Sequence, residues 1–242
     1  MKKLVIILTI LISLGVAGAD VSARTTCNGL KVKPEIKITT SYGQLSYDFS
    51  RTTEQISRIA ANTGHRESSF FATGLATIVI KGEYEVGTKA HPLDNQAGYC
   101  VAPKVINIFV GFTTPRIYIS NELEKDSCTY NLVLLHERTH QRINKSTLDY
   151  FLPFFKKAAA EIADNIKPRK IKDGSQMTSA TNDITREFSE KFEKVVDVFK
   201  KELAIEQGKL DNSINYSMED KICRKFNEKQ RLIQRQSRQG NR

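Results

Sequence analysis

His136-Glu137-Arg138-Thr139-His140 is the stretch of this chain whose residue types and spacing could do chemistry. Residues four apart stand one turn above each other on the same helix face, so His136 and His140 can offer two imidazoles to one cation. His-Glu-x-x-His at that spacing reads as a pair of Zn²⁺ ligands, with Glu137 placed to act as general base. A zinc ion held this way lowers the pKa of a bound water and polarises a substrate carbonyl. The competing reading is an exposed helix face on which two histidines and a glutamate meet only solvent. The apolar run Val133-Leu134-Leu135 just before the motif favours a buried active-site helix.

A catalytic zinc site needs a third protein ligand. A histidine six residues after the second motif histidine is one common solution, but that position is Ser146. The remaining candidates are Glu161, Glu206, Asp211, His65 and His91. Glu161 lies beside Ala158 and Ile162, near an apolar face; Glu206 continues the spacing of Phe199 and Leu203; Asp211 follows in Leu210-Asp211-Asn212. His65 and His91 sit beside Gly or Pro, where a surface histidine is the plainer account. An oxyanion stabiliser is also required, and Tyr150, Tyr216 or an arginine could supply it. Asn144 and Asp149 are nearby acceptors that could orient a ligating imidazole, and Gln141 could cap the site.

The elements that must position these residues follow from periodicity. Residues 34–49 alternate through Ile36, Ile38, Leu45, Tyr47 and Phe49 around Tyr42-Gly43-Gln44, which predicts a hairpin. Ser50 or Thr52 then caps a short helix carrying Ile56 and Ile59, closed by Gly64. Leu75, Ile78, Ile80, Tyr84 and Val86 predict further β structure, and residues 91–98 a loop. Residues 105–110 and 116–119 read as a strand pair separated by Thr113-Thr114-Pro115, and the first of them is the expected substrate-binding edge. Asp126 or Ser127 caps a motif helix over about 128–143.

Ser146 or Thr147 starts a second helix bearing Leu148, Phe151, Phe155, Ile162 and Ile166, with Pro153 early in it. After a polar linker over 170–179, Asp183 opens a longer helix. Its stripe of Ile184, Phe188, Phe192, Val195, Phe199 and Leu203 runs at intervals of three and four, and Gly208 ends it.

The N-terminus carries an export signature. Lys2 and Lys3 precede an apolar run over 4–16, and Ala17-Gly18-Ala19 offers a cleavage site, so residues 1–19 are expected to be a signal peptide. Losing Lys2 and Lys3 takes the formal charge from +10 to +8. No later segment reads as a membrane span. Such a basic exported chain can lean toward anionic envelope surfaces, and nucleic acid is not expected as a partner. Cys27, Cys100, Cys128 and Cys223 make an even set that suggests two disulfides. Three connectivities are open, with Cys100–Cys128 and Cys27–Cys223 favoured by position along the chain.

The expected organisation is therefore α+β: a β-rich region with the motif helix over 20–145, a helical region over 146–227 completing the same catalytic domain, and a basic, disordered tail over 228–242.

A signal peptide, a strand block holding Cys100 and Cys128, and Cys128-Thr129-Tyr130 leading into the motif resemble the predicted secreted zinc-dependent proteases of bacteria. The resemblance covers roughly residues 99–143, more loosely to Cys223, and rests mainly on the His-Glu-x-x-His core. It implies a zincin-like α+β fold with an antiparallel or mixed β region, zinc on His136 and His140, and Glu137 as base. The chain departs from a simple match because no recognisable third-ligand motif follows His140. The expected function is an exported, periplasmic or extracellular metallopeptidase acting on protein or peptide substrates, envelope-associated ones included. The alternatives are a cell-wall amidase and a disulfide-stapled binding protein with a structural or vestigial metal site.

Overall fold

The apolar-rich stretch over 99–119 becomes the middle strand of the described sheet. In a computed structural model that describes residues 26–63, 72–94 and 97–240, β4 (Tyr99–Ile119) is paired along both flanks. On one side β3 (Gly74–Pro92) runs antiparallel to it from Pro92↔Tyr99 to Gly74↔Ile119. Three short strands share the other side in succession: β5 (Arg169–Ile171) antiparallel, then β1 (Glu35–Thr39) and β2 (Ser46–Asp48), both parallel to β4. The hairpin expected over 34–49 therefore does not form. Its two halves alternate as predicted, but each pairs with β4 rather than with the other. Parallel partners need a connection that sequence alternation alone does not reveal.

β4 also replaces the expected strand pair. The ladder shifts by one residue between Thr77/Val79, where the partners are Arg116 and Thr113, and again at Gly87/Thr88, where they are Val105 and Pro103. Each shift puts an extra residue on β4, which makes a β-bulge. Buried positions therefore change parity, from Val101 to Ile106, Ile108, Val110 and Phe112, and then to Ile117 and Ile119. Thr114, at φ 50°, marks the second bulge. Thr113-Thr114-Pro115 is thus a bulge inside one strand and not a turn between two. Residues 105–110 consequently lie in the interior of the sheet, paired with β1 and β3, and cannot be the open edge expected from sequence. Among the described residues β3, like the three short strands, pairs only with β4, and it is the longest strand with a flank that has no partner strand.

Helices cover one face of this sheet. Thr52 caps α1 (Thr53–Asn62) through a capping box with Gln55. Ser127 caps α2 (Cys128–Asp164), accepting from Tyr130 N at 3.2 Å. α2 is continuous through the expected break at Ser146 and contains Pro153. A proline there costs about 3 kcal/mol of helix propensity, which the complete burial of Leu148 and Phe155 offsets. The polar linker contributes β5 and a 3₁₀ turn, so α3 (Met177–Leu210) begins six residues before the expected Asp183.

The predicted aromatic stripe packs α3 antiparallel to α2. Phe151 meets Phe199 at 5.4 Å and Phe155 meets Phe192 at 5.9 Å between ring centroids. Every step back along α2 toward His136 is therefore a step forward along α3 toward its C-terminus. α4 (Ser213–Gly240) closes the chain. It continues as an exposed helix through residues 228–239, where a disordered tail was expected.

The disulfides correct the favoured pairing. Cys27 joins Cys100, tying the N-terminal segment to the start of β4, and Cys128 joins Cys223, tying the start of α2 to α4. Two disulfides and no free cysteine among the described residues fit an oxidising, exported environment. No described helix is long and apolar enough to cross a membrane. The expected signal peptide lies outside the described residues.

Candidate metal centre

α2 delivers the first two donors. His136 and His140 occupy successive turns of one face and are only 6% and 8% exposed. Their Nε2 atoms are 3.1 Å apart. The antiparallel packing then brings up the C-terminus of α3. Asp211, the first residue beyond that helix, places Oδ1 3.1 Å from His136 Nε2 and 3.0 Å from His140 Nε2. These three side chains form the one group among the described residues with the composition and convergence to hold a metal ion.

The outer hydrogen bonds say what the triangle is for. His136 Nδ1 lies 3.0 Å from Glu219 Oε1, and His140 Nδ1 is bonded to Gln207 Oε1. Each Nδ1 has an acceptor for its proton, so a ring in its neutral, metal-binding form would turn a bare Nε2 lone pair inward. Two lone pairs and a carboxylate oxygen about 3 Å apart repel one another unless protons or a cation lie between them. Zn–N and Zn–O lengths of about 2.0–2.2 Å can be met simultaneously from a triangle of this size. Two imidazoles and one carboxylate are also a donor set that suits a catalytic metal, with room for water or substrate in a further position.

The electrostatics agree on a positive centre. Burial opposes charge on His136, but hydrogen bonds to Asp211 and Glu219 outweigh it and raise its pKa to about 9. Burial likewise opposes charge on His140, where Asp211 and Gln207 prevail and its pKa is raised. Asp211 resists its own burial because both imidazoles hold its carboxyl well below the usual range. Protons on the imidazoles and a divalent cation compete for the same lone pairs, and the surrounding acids favour either.

Glu137 is 7% exposed. Burial pushes its carboxyl up to about 7, while His140 and His136 pull the other way and Ala76 N–H donates to it. Ala76 belongs to β3, so the Glu137 carboxyl lies against that strand. Gly74 explains how the two come so close. A Cβ there would stand 2.7 Å from Glu137 Oε1 and 2.5 Å from Val133 Cγ1. A chain of amides extends the link between site and strand. Gln207 donates to Asn144 Oδ1 at 2.6 Å, Asn144 to Gln141 Oε1 at 3.2 Å, and Gln141 to Thr77 O at 3.2 Å.

Tyr216, on α4, stacks on His136 at 5.3 Å and donates its phenol to Asp211 Oδ1 at 2.7 Å. Burial and Asp211 raise its pKa, so it remains a proton donor.

Of the sequence candidates for the third ligand that lie among the described residues, only Asp211 reaches the cluster. Glu161 is an exposed residue 3.9 Å from Lys157, and Glu206 pairs with Lys209. His91 stands opposite Cys100, at the far end of the β3–β4 ladder from Gly74, and His65 lies outside the described residues. Tyr150 is exposed and away from the site, and Asp149 accepts from Tyr42 rather than from a motif imidazole. Glu219 and Gln207 were not anticipated. One signal could have found Glu219. It lies one turn before Cys223 on α4, and the Cys128–Cys223 bond, one of the three connectivities open from sequence, would bring that turn alongside α2.

Comparison of the chain with protein-family models, with curated proteins and with solved structures finds no match.

Proposed function

We propose that this chain is an exported zinc-dependent metallopeptidase of zincin-like fold, with His136, His140 and Asp211 as metal ligands and Glu137 as general base. The observation that carries the reading is the convergence of Asp211 Oδ1 on both motif Nε2 atoms, with the Glu137 carboxyl against β3. The same donors would accept Fe²⁺. A buried carboxyl adjoining the first imidazole favours hydrolysis, since hydrolysis needs a group that takes and returns a proton.

When bound, the cation would supply Lewis acidity toward a scissile carbonyl and toward water. Glu137 receives the proton of the attacking water and passes it to the leaving amine. Its contact with Ala76 N–H fixes the carboxyl beside the strand and restrains its rotation. Tyr216 keeps its phenol next to Asp211 Oδ1, where it can donate to an oxyanion developing on the substrate. The unpaired flank of β3 can accept an extended peptide as an added strand, holding the backbone next to Glu137. This moves the proposed substrate strand from residues 105–110 to β3.

Metal analysis of the purified protein, joined to a peptide-hydrolysis assay, tests the reading. One zinc per chain is expected. Glu137→Gln should keep that zinc and lower turnover by about 10²–10⁴-fold. A chain that takes up no zinc, or equal turnover in wild type and variant, sinks the proposal.

A further inference from the structure

α4 exposes more apolar surface than its attachment to the body requires. Ile214, Met218, Ile222 and Phe226 recur every fourth residue, and Leu232 and Ile233 continue the row. These six side chains are between 46% and 69% exposed. Tyr216, Glu219 and Cys223 leave the helix on a different side, toward α2. At 100° per residue the exposed row spans an arc of about 120°. Lys221 and Arg235 stand within about 60° of one border of that arc, with Glu228 between them, while Arg224, Arg231 and Arg238 lie farther round the helix. The helix carries seven Lys and Arg against three acids, Glu219, Asp220 and Glu228. Two of those acids are engaged, Glu219 by His136 and Asp220 by Arg224.

Lys225 and Lys229 fall inside the apolar arc, and they decide between occupants. If a second helix or another copy of the chain covered the row, both ammoniums would be taken out of water without a partner. At a bilayer surface the same side chains lay their methylene stems along the acyl boundary and extend their charges to the phosphates.

We propose that α4 docks the protein on the surface of an anionic phospholipid bilayer, with the apolar row in the headgroup–acyl boundary and the basic border on lipid phosphates. α4 is too polar to cross the bilayer, so it lies along it. Glu219, Cys223 and Tyr216, which reach α2 and the metal centre, lie about 20–80° beyond the other border of the arc, so docking sets the metal centre beside the lipid-facing row. The protein then meets substrates that are displayed on the membrane.

Co-sedimentation of the mature chain with phospholipid vesicles tests this, and hydrolytic activity plays no part in the readout. Binding is expected to vesicles of phosphatidylglycerol mixed with phosphatidylcholine, to weaken with salt, and to be at least tenfold weaker on phosphatidylcholine alone. Ile222→Asp with Phe226→Asp replaces two exposed side chains and should abolish binding while leaving the melting temperature and metal uptake unchanged. Lys225→Ala, Lys229→Ala and Arg235→Ala together should weaken binding about 100-fold, at roughly fivefold per cation near an anionic surface. The proposal is overturned if the wild type does not sediment with anionic vesicles, or if the aspartate pair binds as well as the wild type. It is equally overturned by a solution dimer that the aspartate pair dissolves, which would assign the row to a second copy.

Discussion

Replacing Asp211 by alanine tests it as the proposed third ligand against its rivals. Asp211 Oδ1 is within 3.1 Å of both motif Nε2 atoms. Glu219 cannot substitute for it, because Glu219 is engaged with Nδ1 on the other side of the His136 ring. Loss of an outer hydrogen-bonding partner typically weakens metal binding about 10–100-fold. As the proposed ligand Asp211 would supply both a direct donor and the charge nearest the centre, so a loss of at least about 1,000-fold is expected. That corresponds to roughly 4 kcal/mol at 1.4 kcal/mol per factor of ten. Glu206→Ala and Glu161→Ala are the matched controls. Both carboxylates pair with a lysine at the surface, and neither substitution should change affinity by more than about twofold. The assay is zinc titration against a chromophoric chelator of known affinity, with melting in excess chelator to verify that each variant is folded. Wild-type affinity in Asp211→Ala refutes the assignment, and so does an equal loss in Glu206→Ala.

Gly74→Ala should spare zinc but lower kcat, because the added methyl meets the Glu137 carboxyl and Val133; a displacement near 1 Å costs on the order of 100-fold, and unchanged kcat would show that the contact does not set the base's position. Replacing Cys128 and Cys223 by serine removes a link across 95 residues, worth about 4–5 kcal/mol by chain entropy. The metal-free melting temperature should fall, and zinc affinity should fall with it as Glu219 and Tyr216 lose their tether; melting curves and titration read the two effects separately. Glu193 has its pKa lowered by hydrogen bonds from Lys200 and then Tyr84. A carboxyl depressed on folding stabilises the protein above its ordinary value of 4.5 and loses that contribution as pH falls through the folded value. Glu193→Gln should accordingly melt lower than wild type near neutrality, the gap closing as pH drops below about 4; a gap constant with pH would show that the ionised form contributes nothing.

Some of this was present in the sequence for a plain reason. Spacing within one helix fixes direction, so His136 and His140 had to share a face wherever α2 packed. The stripe from Ile184 to Leu203 likewise named the buried side of α3, and every member except Val195 is buried. The Ser127 and Thr52 caps were legible because capping is local. Asp211, in contrast, was one of five candidates. It lies 75 residues from His136, and only the interleaving of Phe151, Phe155, Phe192 and Phe199 sets the register that brings it to the imidazoles. The open flank of β3, the parallel seating of β1 and β2, and the pairing of Cys128 with Cys223 are of the same kind. Each depends on which surfaces meet, and no local pattern records that. Two imidazoles on one helix face and an adjacent carboxyl were written in the chain's periodicity; the arrival of Asp211, the Glu219 and Gln207 partners of the imidazoles and the strand beside Glu137 were decided by packing between elements.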